Sequence, residues 1–162
     1  VEFGVGSTMQ LVAPFAFHSD LHALGPAAIQ GMPVAAPFYW DLNDATRAWS
    51  QRFRAQTGRA PDVGHAGTYT ALTHYFKAIA AAQTDETTAV VAAMRALPID
   101  DMSTRGGTIR GDGMVERPIY LFRGKTPAES KDPWDLLQLV DTIAKEKAFP
   151  MPTDAKCPLL RT

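Results

Sequence analysis

His18, Asp20 and His22 stand close together in the string HSDLH. On a helix, positions four apart share a face, so this spacing can turn both imidazoles toward one metal ion with the carboxylate beside them. The same string also reads as a polar loop joining a strand to a helix. A protein metal site takes at least a third side-chain ligand, and none stands at a matching spacing, so no metal is assigned. Arg110-Gly111-Asp112 has the order of an adhesion tripeptide. Gly111-Asp112-Gly113 is also what a tight turn with positive φ requires, and the turn accounts for it. GVGSTM at 4–9 holds two of the glycines of a dinucleotide loop, but it precedes an apolar run instead of following a strand, which breaks the pyrophosphate logic. There is no Gly-x-Ser-x-Gly elbow and no cysteine, histidine and acid in a nucleophile pattern, so neither an enzyme activity nor a cofactor is assigned.

The elements that would position these residues can be read from period and punctuation. Residues 9–17, MQLVAPFAF, fit an edge strand broken near Pro14. GPAAIQGM reads as a short helix, and residues 32–40 as an extended segment, since Pro33 and Pro37 exclude helix interior. APFYWDLND at 36–44 raises the question of whether its three aromatics grip a ligand or only edge a core; Asn43 or Asp44 then caps a helix over 44–55. Ala45, Trp49 and Phe53 share one face of that helix, and Gly58 stops it. TYTALTHYFKAIAAA places Tyr69, Leu72, Phe76 and Ile79 on one stripe, the expected buried face of a second helix. A third follows, with Thr84 as its cap and Pro98 as its end. GTIRGDGMVERPIYLFRGK changes to a strand, a turn and a second strand, read together as a hairpin. Trp134, Leu137, Val140 and Ile143 form the apolar set of the tail. The mixture makes the class α/β.

Composition removes several functions. The 162 residues are 46% hydrophobic and 20% charged, with a formal net charge of −1. That balance offers no basic footprint for nucleic acid and no polybasic membrane patch. No apolar run approaches the about 18 residues of a membrane span, and the start lacks the pattern of a signal peptide. The first residue is Val1, so the chain reads as a processed or excised piece, and a missing signal is silent about compartment.

FYWDLNDATRAWSQRF, HAGTYTALTHYFKAI, GTIRGDG, YLFRGKTPAESKDPWD and CPLL, in that order, resemble the C-terminal portion of a type 1 periplasmic solute-binding protein. The resemblance is to the leucine/isoleucine/valine branch that serves ABC importers, and it runs through essentially the whole sequence. It implies parts of two three-layer α/β lobes that close on a small-molecule solute, an amino acid or an aromatic carboxylate, and hand it to a membrane permease from the periplasm. Residues 1–35 would belong to lobe 2, 36–110 to lobe 1 entered through a hinge strand, and 111–162 to lobe 2 and the tail. Family members are much longer, so a signal peptide, the first half of lobe 1 and most of lobe 2 would lie outside this chain.

By the same resemblance, the loop after a lobe 2 strand carries His18, Ser19 and Asp20 at its tip. Asp20 would accept from an α-ammonium and His18 would donate to a carboxylate. Phe38 and Trp40 become packing residues beside a hinge, while Tyr39, pointing the other way along the strand, is the one that can face the cleft. On the facing lobe, VGHAGTY leads into a helix N-terminus whose free N–H groups suit a carboxylate, with His65 and Thr68 placed to help and Tyr69 divided between cleft and core. Two other classes stay open: a ligand sensor with the same fold, and a structural domain or enzyme remnant. An incomplete α/β lobe leaves strand edges bare, so a homo-oligomer, most simply a symmetric dimer, is expected.

Cys157 is the single cysteine. The resemblance implies that the terminal segment wraps over the body of an extracytoplasmic protein, where a partner cysteine outside this chain would close a very long loop, contributing roughly 4–5 kcal/mol at most. A buried free thiol is the ordinary alternative. Thiol counting on the denatured, unreduced full-length protein decides: a thiol that appears only after reduction is expected for the bond, and a free Cys157 rules it out.

Overall fold

The computed structural model describes residue 4 and residues 8–149. Cys157 and the CPLL string lie outside the described residues. The chain forms two compact units, one of residues 1–66 with 119–142 and one of 67–118 with 143–162. These boundaries follow packing within this chain; the lobe boundaries at 36 and 111 refer to a longer protein.

The first unit begins with α1 (His18–Leu24) and α2 (Pro26–Ile29). Phe17 N–H donates to the Asp20 carboxylate at 3.3 Å, so Asp20 closes the first turn of α1. Pro26 starts α2, where its missing N–H costs nothing. β1 (Pro33–Ala36) follows and pairs antiparallel with β4 (Ile119–Gly124), in register from Pro33 opposite Arg123 to Ala36 opposite Tyr120. β5 (Leu137–Ile143) lies on the far side of β4. The edge strand expected over 9–17 is reduced to one parallel bridge between Ala13 and Val34, because Pro14 has no N–H with which to continue the ladder.

α3 (Asp44–Thr57) has the ends its sequence requires. Asn43 Oδ1 accepts from Thr46 N–H at 3.0 Å, Thr46 Oγ1 accepts from Asn43 N–H at 2.9 Å, and Gly58 closes the helix at φ 73°. Leu21, Ile29, Val34, Tyr39, Phe122, Leu136 and Leu137 belong to the buried core between α1, α2 and the sheet.

α4 (Val63–Ala82) starts in the first unit and continues into the second. Its buried line is Ala66, Thr70, His74 and Ala78. This reverses the expectation from the apolar stripe, for Tyr69, Leu72 and Phe76 are 40%, 51% and 62% exposed. Small and polar groups fit the inner side because each finds a partner there: Thr70 Oγ1 meets Ser103 Oγ at 3.1 Å, and His74 Nε2 donates to the Met94 carbonyl at 2.9 Å. α5 (Thr87–Ala96) is capped by Glu86, whose carboxylate accepts from Thr88 and Ala89 N–H at 2.9 and 2.8 Å; Thr84 sits one step out, accepting from Glu86 N–H at 3.2 Å.

The second unit also holds the hairpin of β2 (Thr108–Ile109) and β3 (Val115–Glu116), followed later in the chain by α6 (Lys145–Ala148). The expected turn is present, with Gly113 at φ 86°. The second half of the expected hairpin is not: RPIYLFRGK leaves at Pro118 and becomes β4 in the other unit's sheet. Arg110 and Asp112 clasp each other across the turn, with Arg110 Nε 3.0 Å from Asp112 Oδ1, and this holds the Asp112 carboxyl at about 2. The adhesion-like side chains are thus paired with one another. No described helix is long and apolar enough to cross a membrane.

Gly124 is the tightest point of the first unit. Its N–H donates to Met32 O and its carbonyl accepts from Gly31 N–H, both at 2.9 Å, and a Cβ there would lie 2.0 Å from the Ile29 carbonyl oxygen. Backbone must move to admit it, so Gly124→Ala is expected to cost about 1–3 kcal/mol or more in urea unfolding. Gly111→Ala, with nothing within 4 Å of the added carbon, serves as the near-neutral control.

Candidate functional site

The chemistry-bearing residues of the first unit gather around one backbone carbonyl. His18 Nε2 and Trp40 Nε1 both donate to Trp134 O at 2.8 Å, and Tyr39 Oη reaches the same oxygen at 3.5 Å. Tyr39 Oη itself accepts from Leu136 and Leu137 N–H, each at 3.2 Å. His22 Nδ1 donates to Pro133 O at 2.8 Å while its ring stacks on the Trp134 indole at 3.9 Å. The two histidines of HSDLH therefore share a face, as their spacing requires, and that face holds the 133–134 backbone. Among the described residues no group of three acids, histidines or cysteines is arranged to hold a metal ion.

Only 7% of His18 is exposed. Burial pulls its pKa down to about 4, so the ring is neutral at pH 7. With Nε2–H donating, Nδ1 carries a lone pair, and that nitrogen is buried without a protein partner. His18 is thus an acceptor toward anything that reaches Nδ1, and its one N–H is committed to Trp134 O. Beside it is a cavity of about 10 Å³, the size of one water molecule, which Tyr39 and Asp62 also line. Burial also pushes the Tyr39 phenol upward, which keeps it protonated.

Asp62 was not singled out by the sequence reading, although an acid directly before a helix is an N-cap signal. Its Oδ1 accepts from Gly64 N–H at 2.9 Å and His65 N–H at 3.3 Å, and His65 Nδ1 lies 2.8 Å away. α4 thus begins at Val63, two residues before His65, and the donors expected to await a carboxylate are already taken by Asp62. The His65 ring meets Phe53 edge-on at 4.7 Å. Ser19 and Asp20 lie on the exposed side of α1. Thr68 and Tyr69 lie in the second unit. The structure therefore brings together His18, Tyr39 and Asp62, with His65 next to Asp62. Trp134 and Leu137, also at this place, carry no sequence signal beyond apolarity.

A larger open groove of about 620 Å³ lies along residues 8–11 and 27–32. Among the described residues no charged side chain lines it, so these walls offer neither counter-charge that a zwitterionic solute would need.

The sequence profile of the periplasmic binding protein family matches residues 1–131. The chain belongs to that family. It is 38% identical to a periplasmic binding protein from Burkholderia mallei, with a TM-score of 0.93 over 99% of this chain and 42% of that one. It is 34% identical to a branched chain amino acid ABC transporter periplasmic ligand-binding protein from Burkholderia xenovorans LB400, with a TM-score of 0.90 over 99% of this chain and 43% of that one. A solute-binding protein from R. palustris, solved in complex with benzoate, shares the fold at 18% identity and a TM-score of 0.68, over 90% of this chain and 40% of that one. None of the curated proteins matches. The chain thus spans less than half of these solved structures, and its mixed helices and strands are part of the type 1 periplasmic binding protein fold.

The neutral state of His18 has a thermodynamic consequence. Its folded pKa of about 4 lies below the ordinary 6.5, so the unfolded chain binds the proton more readily. The contribution is complete above pH 6.5 and is lost as pH falls toward 4, by about 3 kcal/mol in all. His18→Gln, which keeps an N–H for Trp134 O without a titrating group, is expected to flatten that part of the pH profile. Parallel profiles in urea unfolding would refute this.

Proposed function

We propose that this chain is part of the extracytoplasmic solute-binding receptor of an ABC importer for branched-chain or other hydrophobic amino acids or related small carboxylates. It works in the periplasm, binding without chemistry and delivering the solute to a membrane permease. The observation that carries this is the likeness over 99% of the chain to a protein named for branched-chain amino acid transport. The site adds a preference: neutral His18, whose buried Nδ1 opens on a water-sized cavity and would act through a water there, offers acceptors together with the Asp62 carboxylate. Acceptors suit a solute ammonium, whereas a carboxylate placed there would meet a lone pair and a negative charge. An amino acid therefore fits this edge better than an aromatic acid does.

Residues 1–35 and 111–162 are assigned to lobe 2 and 36–110 to lobe 1. The pairing of β1 with β4 supports the return of the chain to the region it left. Tyr39 contributes by fixing the wall at Leu136 and Leu137. Ser19, Asp20, His65, Thr68 and Tyr69 remain candidates for contacts completed by the rest of the receptor.

Calorimetry on the full-length receptor against leucine, isoleucine, valine and benzoate tests this reading. One-to-one binding of an amino acid is expected, weakened about tenfold or more by His18→Ala, the loss of one hydrogen bond to a charged group. The 162-residue chain alone is expected to bind none of them at micromolar strength. Turnover of a solute, preference for benzoate, or unchanged affinity in His18→Ala would overturn it.

A further inference from the structure

His18 buries a lone pair. Its Nε2–H donates to the Trp134 carbonyl at 2.8 Å, while Nδ1, in a side chain only 7% exposed, is without a partner among the described residues. A buried acceptor left unpaired forfeits its hydration, so the space beside it matters. Trp134 is not among the walls of the adjoining cavity of about 10 Å³, so the ring meets that space with an edge other than the one tied to the loop. Asp62 lines the same space. Its Oδ1 already accepts from Gly64 and His65 N–H, which leaves Oδ2 for a further donor. The hydroxyl of Tyr39, the third polar side chain in the walls, is engaged with the N–H groups of Leu136 and Leu137. The other walls, Val34, Ala36 and Phe38 among them, carry no polar side chain. Two acceptors thus face one small apolar space, and neither can donate to the other.

We propose that this cavity is the binding site of one water molecule, which donates one O–H to His18 Nδ1 and the other to the Asp62 carboxylate. A buried water takes two to four polar partners and a probe-sized space of about 10–15 Å³, and both conditions are met here. A larger polar molecule does not fit. A metal ion lacks ligands, since among the described residues no three acids, histidines or cysteines converge, and an anion would meet a lone pair and a negative charge. The bridge ties the first turn of α1 to the cap of α4, both in the first unit. With both hydrogens committed, the water has only its oxygen lone pairs to offer, so the next group it meets must be a donor. The assignment deepens the acceptor reading of this edge and rests on it, but it holds without any solute.

The test is a high-resolution crystal structure of the solute-free, full-length receptor. An ordered oxygen is expected about 2.5–3.2 Å from both His18 Nδ1 and an Asp62 carboxylate oxygen. A dry cavity, or density in contact with only one of the two, would overturn the proposal. Contacts of about 2.0–2.4 Å would mean a metal ion and would overturn it too. His18→Gln, which keeps an N–H for Trp134 O, and Asp62→Ala are each expected to lose this density, and its persistence in either variant would refute the bridge. Imidazole nitrogen NMR on the unsubstituted receptor does not depend on a variant folding: the His18 Nδ1 resonance should be displaced from the position of a free lone pair toward that of a hydrogen-bonded one. A resonance at the free position would count against the water. Calorimetry with amino acids tests the receptor reading separately, so a failure of one is not a failure of the other.

Discussion

The carbonyl of Trp134 fixes the first unit. A carbonyl oxygen has two lone pairs, and here two short bonds, from His18 and Trp40, occupy them, with Tyr39 at the longer 3.5 Å. The donors lie 94 to 116 residues away in sequence, so this one acceptor draws α1 and the segment after β1 onto the loop before β5. The loop is held at its other points as well: the Arg54 guanidinium reaches Asp132 at 3.0 Å, and Lys125 pairs with Asp135. Such a network is costly to leave half satisfied, which constrains both the tautomer of His18 and the protonation of Tyr39.

That constraint separates what was legible in the sequence from what was not. α3 was legible at both ends because Asn43 and Gly58 act locally, through a cap and a left-handed residue. The Gly111–Gly113 turn was legible for the same reason, and the family resemblance carried the fold. The partner of β4 was hidden, since Pro118 ends one pairing and the choice of the next depends on β1, more than 80 residues earlier. The inward side of α4 was hidden too. Periodicity reports which side is apolar, and here the small and polar side is the one with partners inside this chain, at Ser103 and Met94.

The candidate site was legible in residue identity and illegible in role. His18 and Tyr39 stand at the site, but sequence could not reveal that His18 Nε2 is committed to a backbone carbonyl over a hundred positions away. Once it is, the ring nitrogen left over is an acceptor. Asp62 shows the converse. Its position before α4 is a local signal for a cap, and capping spends one carboxylate oxygen on Gly64 and His65 while leaving its charge next to the cavity.

Size sets the remaining limit. Small-molecule sites enclose about 300–1,000 Å³ and combine an apolar wall with a few polar groups. Here the two requirements are met in different places: the cavity with His18 and Asp62 encloses about 10 Å³, and the groove of about 620 Å³ has no charged group in its walls among the described residues. Enclosing a small molecule at His18 and Asp62 would therefore take walls from outside this cavity.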